Sequence, residues 1–411
     1  MLTSFSTALS ALSADTTAID VVGNNLANLN TPGFKASTVS FHDLVTQSIG
    51  DGLGSTQVGF GVGVPVTLRQ FSQGAIQSTG SPLDAAIQGD GYFVVKTPTG
   101  AVEYTRSGNF QVDTNGNLTT ATGEQVQGWT ASAGALSTNA PVGPITVPVG
   151  SLAAPVATTA TSVDLNLDAS APAGATFSTS VQVYDSLGIS HLVTYTFTKT
   201  ATVNQWTFSA GIPPGETTPA GTPVTGTLTF DGNGQLVTPA STAAQPVIAV
   251  AGLNSGAANM SVTWNLYNGA APRITQFAQT SATSAIAQNG LAAASLVNVA
   301  LGGGGQLLAK YSNGQQVVVG QLALATIRNA DSLLAVGNSN YQTSALTALP
   351  SVGLPGTGGR GTLLAGSIEA SNVDIAREFT NLIVFQRAYE ANAHVITTSD
   401  QVSQATIALK Q

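Results

Sequence analysis

Apolar residues recur at helical spacing only near the two ends of the 411-residue chain. At the amino-terminal end, a seven-residue spacing runs through Phe5, Leu12, Ile19 and Leu26, with Leu9 at an alternate position of the same stripe. This spacing predicts a helix that stops near Asn28, because Thr31 precedes Pro32 and Gly33 follows it.

The carboxyl-terminal end has a matching pattern. Ser371-Asn-Val-Asp374 has the spacing of a capping box in which Asp374 replaces the usual Glu. Apolar or small residues then follow three and four positions apart, namely Ile375, Phe379, Leu382, Tyr389, Ala393, Ile396 and Ile407. The pattern predicts a helix over about 371–409. A single amphipathic helix cannot bury its stripe alone, so the two terminal helices are expected to pair and then contact neighbours, unless both cap one globular core.

Between the ends, extended runs and Asn-Gly turns replace the helical period. Residues 92–126 alternate as strands. Residues 113–118 and 231–236 share the pattern Asp-x-Asn-Gly-x-Leu, and a third Asn-Gly turn lies at 311–315. The sequence therefore predicts a mainly β protein with helical termini, in which the terminal helices pair as a coiled-coil-like layer.

The composition is unusual in its low content of charged residues. Only 8% of the residues are charged, against about 25% in ordinary proteins. A surface with so little charge suggests that copies of the chain cover one another, although adaptation to an unusual medium is an alternative. The net charge of −8 with 12 Lys and Arg argues against nucleic acid as a partner. The absence of cysteine excludes disulfides and thiolate metal sites.

The amino terminus lacks the features of a cleaved secretory signal. No Lys or Arg precedes Lys35, and Asp15 and Asp20 interrupt any apolar core. No run of about 18 apolar residues exists, so membrane insertion is not expected. An extracellular location would therefore require export without removal of a signal peptide.

Candidate chemistry is sparse. His42, His191 and His394 lie far apart, and none has a second metal-ligating residue at helical or hairpin spacing. No Gly-x-Ser-x-Gly elbow supports a serine nucleophile, and the glycine-rich stretches lack the Lys-Ser/Thr of a phosphate loop. We therefore predict no catalytic residue, cofactor or metal, and a protein that is not an enzyme.

One loop has calcium-like spacing. Asp113, Asn115, Asn117 and Glu124 fall at positions 1, 3, 5 and 12 of an EF-hand loop. Leu118 occupies the position that needs glycine, and the flanking segments are predicted strands rather than helices. A hairpin turn is the preferred interpretation.

Several motifs, in order along the chain, resemble those of the bacterial flagellar rod and hook axial protein family. They are residues 23–28 and 31–35 near one end, 368–379 and 386–393 near the other, and 81–93 with 104–110 between them. The family-motif residues are Asn24, Asn25, Asn28, Thr31, Pro32, Gly33, Phe34, Lys35, Ser371, Asn372, Asp374, Gln386, Arg387, Tyr389 and Asn392.

The resemblance implies four parts. They are a terminal helical domain (1–30 and 370–411), an extended connector (31–80 and 355–369), a β domain from both halves of the chain (81–145 and 276–354) and an inserted outer β domain (146–275). An insert of that size favours a hook-type member, and residues 183–188 resemble a hook-type segment. A distal rod protein is the alternative, and a secreted enzyme or adhesin is a weaker one.

What the hook-type resemblance implies is structural. Such a subunit polymerises with itself into a flexible curved tube that links the rod to the filament and transmits torque. Its expected partners are the distal rod protein, the hook-filament junction proteins, the hook cap and the type III export apparatus. The expected assembly residues are those of the two apolar stripes, namely Phe5, Leu9, Leu12, Ile19, Leu26, Phe379, Leu382, Tyr389 and Ile396.

Overall fold

The computed structural model describes residues 2–44, 46–49, 56–131, 135–219 and 221–408. The chain divides into two compact units. Unit 1 comprises Met1–Val149, Asn298–Lys310 and Gln316–Gln411, and unit 2 comprises Gly150–Val297 and Tyr311–Gln315.

Two long helices form the ends of unit 1. Helix α1 spans Leu2–Ala27 and helix α2 spans Ile375–Ala408. The predicted end of α1 near Asn28 is confirmed. The predicted capping box is wrong, because α2 begins after Asp374, whose Oδ1 accepts the N–H groups of Ala376 at 2.9 Å and Arg377 at 3.2 Å. The four residues before α2 are held in other contacts and cannot join the helix.

The first half of unit 1 contributes short strands to the β structure. They are β1 (Ser37–Ser40), β2 (Thr46–Ile49), β3 (Thr56–Gly59), β4 (Val66–Arg69), β5 (Ile76–Ser78), β6 (Ala85–Gln88), β7 (Tyr92–Lys96), β8 (Val102–Thr105), β9 (Phe110–Val112), β10 (Leu118–Thr120), β11 (Gln125–Thr130) and β12 (Gly143–Pro144).

Unit 2 follows in the chain with longer strands. They are β13 (Leu152–Ala153), β14 (Ala160–Asp168), β15 (Thr176–Tyr184), β16 (Ser190–Lys199), β17 (Gln205–Gly211), β18 (Val224–Phe230), β19 (Leu236–Thr238), β20 (Val247–Val250), β21 (Met260–Asn265), β22 (Tyr267–Asn268), β23 (Ala271–Pro272), β24 (Ile274–Phe277) and β25 (Ala282–Gln288).

The chain returns to unit 1 at Asn298, within the next strand. The remaining strands are β26 (Ala294–Leu301), β27 (Gln306–Tyr311), β28 (Gln316–Leu322), β29 (Leu324–Thr326), β30 (Leu334–Gly337), β31 (Asn340–Gln342), β32 (Ser351–Gly353), β33 (Thr362–Ala365) and β34 (Ser367–Glu369). Two 3-10 turns, Gly303–Gly305 and Ala330–Ser332, connect them.

The main sheet of unit 1 combines strands from both halves of the chain. The main sheet contains β27-β28-β11-β7-β8-β31-β30 in that order, so that β11 pairs with β28 and β8 pairs with β31. Phe93 and Phe110 meet edge to face in its interior, with ring centroids 5.0 Å apart. The predicted β domain built from both halves of the chain is confirmed.

Unit 2 is built from two five-stranded sheets that share one core. One sheet contains β15 to β19 in sequence order, and the other contains β20-β21-β14-β24 with β25 paired to β14. On β16, alternate residues point inward, and Val193, Tyr195 and Phe197 are buried. Trp264 of the other sheet lies 4.8 Å from Tyr195 between ring centroids. The aromatic contacts join the sheets.

The edge of unit 2 differs from the predicted insert of 146–275. The unit continues to Val297 because β25 pairs along β14 and completes its sheet. Leu152 pairs with Ser295, so the two ends of unit 2 lie side by side. The Asn-Gly hairpins are confirmed, as at Gly116, where φ is +85° and the N–H donates to the carbonyl of Asp113.

Candidate assembly surface

Small residues form the buried face of α1. The helix packs against α2 and β1, and it buries Ala8, Ala14, Ala18 and Val22, here called the α1 seam. Small side chains let two backbones approach closely, whereas the larger residues of the predicted stripe would hold them apart. The sequence pattern therefore identified the helix but not its buried face.

The predicted apolar stripe of α1 lies beside the seam. Phe5 and Leu9 are 44% and 54% exposed, and Leu12, Ile19 and Leu26 are half-buried. These residues keep substantial apolar surface in contact with solvent in the single subunit. Their role in assembly is a prediction about neighbouring subunits.

Helix α2 shows the same division. Leu382 and Ile396 are half-buried, whereas Phe379 and Tyr389 are 51% and 42% exposed. Further exposed apolar residues on this helix include Ile375, Ile383, Val384, Val395 and Val402. Both terminal helices thus leave an apolar surface without a partner in the single chain.

A polar pair fixes how the helices align. Asp15 is buried on α1, and Asn392 of α2 donates its Nδ2 to Asp15 Oδ2 at 2.9 Å. A buried polar contact in a helix pair specifies register, because a shift would leave the carboxylate without its donor.

The residues after α1 are fixed by side-chain contacts to backbone. Asn25 is fully buried and pairs with Ser37 in both directions, accepting its N–H at 2.9 Å and donating to its carbonyl at 2.8 Å. Thr31 donates its hydroxyl to Asn28 Oδ1 at 3.0 Å. Asn28 in turn donates to the carbonyl of Asn24 at 2.9 Å. The asparagine motif therefore shapes the exit from the helix.

Glycine is required at position 33. Its φ is +69°, and a Cβ there would lie 2.5 Å from the backbone nitrogen of Ser107. Its N–H donates to the carbonyl of Glu369 at 2.8 Å. Pro32 and Phe34 on either side are half-buried. The chain thus crosses close to two other motif segments at this glycine.

Three charged residues from distant motifs meet inside unit 1. Glu369 is fully buried, and its Oε1 accepts Lys35 Nζ at 2.5 Å while its Oε2 accepts an Arg106 nitrogen at 3.2 Å. We call Lys35, Arg106 and Glu369 the motif junction. Lys35 also donates to the carbonyl of Ser72 at 2.7 Å, and the Arg106 guanidinium lies 5.2 Å from the centre of the Tyr92 ring.

The junction carries two cations and one anion in a dry environment. Burial lowers the pKa of Lys35, and the adjacent Glu369 carboxylate only partly opposes this effect. Such a group is stable only while both partners remain, because an unpaired buried charge costs several kcal/mol, about 3–5. The junction therefore ties the start, middle and end of the chain into one unit.

Asn372 extends the same connection. Its Oδ1 accepts the N–H of Ala36 at 2.7 Å, and its Nδ2 donates to the carbonyls of Gln70 at 2.8 Å and Ser72 at 3.1 Å. Ser371 accepts the N–H of Val373 at 3.3 Å through its hydroxyl. These contacts explain why the helix starts only at residue 375.

Two family-motif residues have no internal structural role of this kind. Gln386 and Arg387 are exposed on α2, and Arg387 pairs with Glu390 at 3.0 Å one turn away. An exposed pair of this type contributes little to stability. The structure leaves both side chains available to a neighbouring subunit.

The calcium-like loop is a hairpin turn. Asp113 Oδ1 accepts the N–H groups of Asn115 at 2.9 Å and Asn117 at 2.7 Å, and these bonds lower the pKa of Asp113 together with the Asn117 side chain. Glu124 is bound by the hydroxyls of Thr120 and Thr122. Within the part of the chain that the structure describes, no cluster of three His, Asp or Glu residues could hold a metal.

One polar cluster was missed by the sequence reasoning. His191 of unit 2 contacts two carboxylates that lie 6 and 25 positions away in sequence, Asp185 and Glu216. The six positions from Asp185 to His191 span the turn between β15 and β16 and could have been noticed, whereas the 25 positions from His191 to Glu216 match no local pattern. The charges of the motif junction could have been noticed, since they fall inside motifs of a chain that is 8% charged.

The paired terminal helices have exposed apolar faces and are joined to a β domain that carries an inserted β unit. This architecture is the one expected of the axial protein family that the sequence motifs resemble. Four family models match the chain in the same order. They are the flagella basal body rod protein (residues 5–35), the flagellar hook protein FlgE/F/G D1 domain (86–168), the flagellar basal body protein FlaE D2 domain (152–291) and the flagellar basal body rod FlgEFG protein C-terminal (364–409).

Relatives that match along the whole chain identify which flagellar protein family this chain belongs to. The chain is 33% identical to the flagellar hook protein FlgE of Salmonella typhimurium over 422 residues, covering 99% of this chain and 100% of that protein. It is 32% identical to the flagellar hook protein FlgE of Treponema pallidum over 464 residues, with full coverage of both. The chain belongs to the flagellar hook protein FlgE family.

A solved structure agrees with the fold. The crystal structure of Helicobacter pylori flagellar hook protein FlgE2 matches with a TM-score of 0.50 at 13% identity, covering 72% of this chain and all of that one. At that identity the likeness concerns the fold alone. Among the described residues, no helix is both long and apolar enough to cross a membrane.

Proposed function

We propose that this hook subunit polymerises through the exposed apolar faces of α1 and α2 into a curved, flexible tube that links rod to filament and transmits torque. One observation carries the proposal. The helices already bury the α1 seam in the single chain, yet Leu9 and Phe379 remain more than half exposed. Exposed apolar surface of this kind is typical of a protein interface.

The test places a charge on that surface. Leu9→Asp and Phe379→Asp should leave a folded monomer, because neither side chain is buried, but should abolish tube formation. Full burial of a Leu side chain contributes about 1.5–3 kcal/mol, and an unpaired carboxylate in the interface removes that contribution and adds its desolvation cost. Circular dichroism would report folding, and electron microscopy of concentrated protein would report tubes.

Matched controls separate charge from substitution. Leu9→Met and Phe379→Leu keep the surface apolar and should assemble. The half-buried Leu26 and Ile396 are less informative sites, since a charge there also disturbs the single-chain helix pair. Normal tubes from Leu9→Asp subunits would show that the terminal helices do not hold the polymer together.

Low charge supports the flexible character of the tube. With 8% charged residues, contacts between copies depend on few ion pairs, so neighbouring subunits can shift without separating buried charges. We place the terminal helices in the inner layer of the tube. Cryo-electron microscopy of the assembled tube would test that arrangement.

The remaining partners are part of the same proposal. The subunit would leave the cell unfolded through the type III export apparatus, assemble beneath a hook cap, and join the distal rod protein and the junction proteins. Support comes from membership of the hook protein family. Sequencing of extracellular protein should find Leu2 and the residues after it, and a cleaved terminus would contradict this route.

A further inference from the structure

His191 lies inside unit 2 with both ring nitrogens facing carboxylates. Nδ1 is 2.6 Å from Glu216 Oε2, and Nε2 is 3.2 Å from Asp185 Oδ2. A neutral imidazole has one N–H and cannot donate to both partners. With both carboxylates ionised, the two contacts are satisfied together only when the ring carries two protons and a positive charge.

The two carboxylates differ in burial and in how tightly hydrogen bonds hold them. Asp185 is fully buried, and its oxygens also accept the N–H groups of Leu187 and Ile189 at 2.9 Å and the hydroxyl of Ser255 at 2.8 Å. The side chain of Glu216 is 38% exposed. Asp185 is fixed in place, whereas Glu216 can turn toward water.

The cluster joins three separate segments. Asp185 starts the turn between β15 and β16, Glu216 lies in the loop 213–219, and Ser255 lies in the loop 251–259. The two loops are bonded to each other, since Thr218 donates its N–H to Gly252 O at 2.8 Å and Asn254 donates to Glu216 O at 2.9 Å. Contact with His191 therefore fastens both loops to β16.

We propose that His191 is a proton-dependent latch at this end of unit 2. The doubly protonated ring holds Glu216 and with it the two paired loops, and loss of one proton releases Glu216 and loosens them. Among the described residues, the charged groups that act on His191 are Asp185, from the β15–β16 turn, and Glu216, from the facing loop.

The direction of the pH dependence follows from the partners. Burial alone would lower the pKa of His191, but the bonds to Glu216 and Asp185 outweigh it, and the pKa lies above its usual 6.5. The group binds more protons in the folded state, so its stabilisation is complete below pH 6.5 and is lost as pH rises through the folded pKa.

A neutral imidazole ring can donate a hydrogen bond to only one of the two carboxylates. Asp185 cannot reach water, so the remaining proton stays on Nε2 and bonds to it. The lone pair of Nδ1 then faces the carboxylate of Glu216, and two acceptors repel each other. Glu216 is therefore the contact that breaks.

Histidine titration by NMR of the full-length monomer tests the first step. His42 and His394 are exposed and supply the other two histidine signals. His42→Gln and His394→Gln variants identify their signals without touching the latch, so the third signal is assigned by elimination. The midpoint of His191 in the folded protein should lie above its midpoint in the urea-unfolded chain. A folded midpoint at or below the unfolded one would overturn the proposal.

Hydrogen exchange tests the second step. Protection of the Thr218 and Asn254 amides, corrected for the intrinsic rate, should fall about tenfold as pH passes the His191 midpoint, the effect of losing one charge-assisted hydrogen bond. Glu216→Gln is the matched control, because an amide can accept from protonated Nδ1 or donate to unprotonated Nδ1. Its protection should not change across the titration. If amide protection changed with pH in the same way in the parent and in Glu216→Gln, whether both fell or both stayed constant, the latch would be refuted.

Discussion

Removing the carboxylate of the motif junction tests how the family motifs hold unit 1 together. Glu369→Gln preserves size but leaves Lys35 and Arg106 facing each other without an anion. Glu369 is 0% exposed and the Lys35 side chain 1% exposed, so solvent cannot compensate. Breaking a buried pair of this kind costs about 3–5 kcal/mol, a large part of a typical domain's stability.

The cost should depend on pH in a defined direction. Burial already lowers the pKa of Lys35 below 10.5, and loss of the carboxylate lowers it further. The unfolded chain then binds more protons than the folded one, so the variant gains stability as pH rises toward 10.5. The difference between parent and variant is therefore largest near neutral pH and smaller in alkaline buffer.

Urea unfolding followed by hydrogen-exchange mass spectrometry can resolve the units. Segments 31–40 and 362–372 report on the junction, and segment 190–199 reports on unit 2. We expect the first two to lose protection at lower urea in Glu369→Gln, with the third unchanged. Glu390→Gln removes the same group from an exposed ion pair and should change nothing. If both variants matched the parent, the junction would not stabilise unit 1.

Three further outcomes follow from packing and geometry. Gly33→Ala should lower the melting temperature more than Gly80→Ala, because both have φ near +70° but only Gly33 has backbone within 2.5 Å of the new Cβ. Ala18→Leu should overpack the α1 seam and lower the free energy of unfolding, measured with denaturant, by about 1–3 kcal/mol. An equal loss in Leu9→Met would show that the seam is no more tightly packed than the exposed face. Replacing residues 150–297 by a short Gly/Ser linker should preserve the helical circular dichroism of α1 and α2, because Leu152 pairs with Ser295 and the ends of the segment lie close together. Loss of the helical signal would contradict the interpretation of this segment as an independent insert.

Local signals in the sequence were sufficient where structure is local. Pro32 and Gly33 marked the end of α1, and the Asn-Gly pairs marked the hairpins, because these residues restrict the backbone wherever they occur. The α1 seam was missed because hydrophobicity alone favours Phe5 and Leu12, whereas close helix approach favours Ala14 and Ala18.

Features that depend on distant residues could not be predicted. The far end of unit 2 is set by the pairing of β25 with β14, which no local pattern records. Asp374 has the spacing of a third helical residue, but it caps the helix because Asn372 is held by Ala36. Glu216, one of the two partners of His191, likewise comes from a loop that only the fold brings close.

The contact between Lys35 and Glu369 spans 334 positions of the chain. A contact of such separation closes a very long loop, and its entropic cost must be met before it adds any stability. A chain made or delivered from its amino terminus therefore cannot complete unit 1 until nearly all of it is available. Until then, Lys35 lacks the carboxylate that pairs with it in the folded protein.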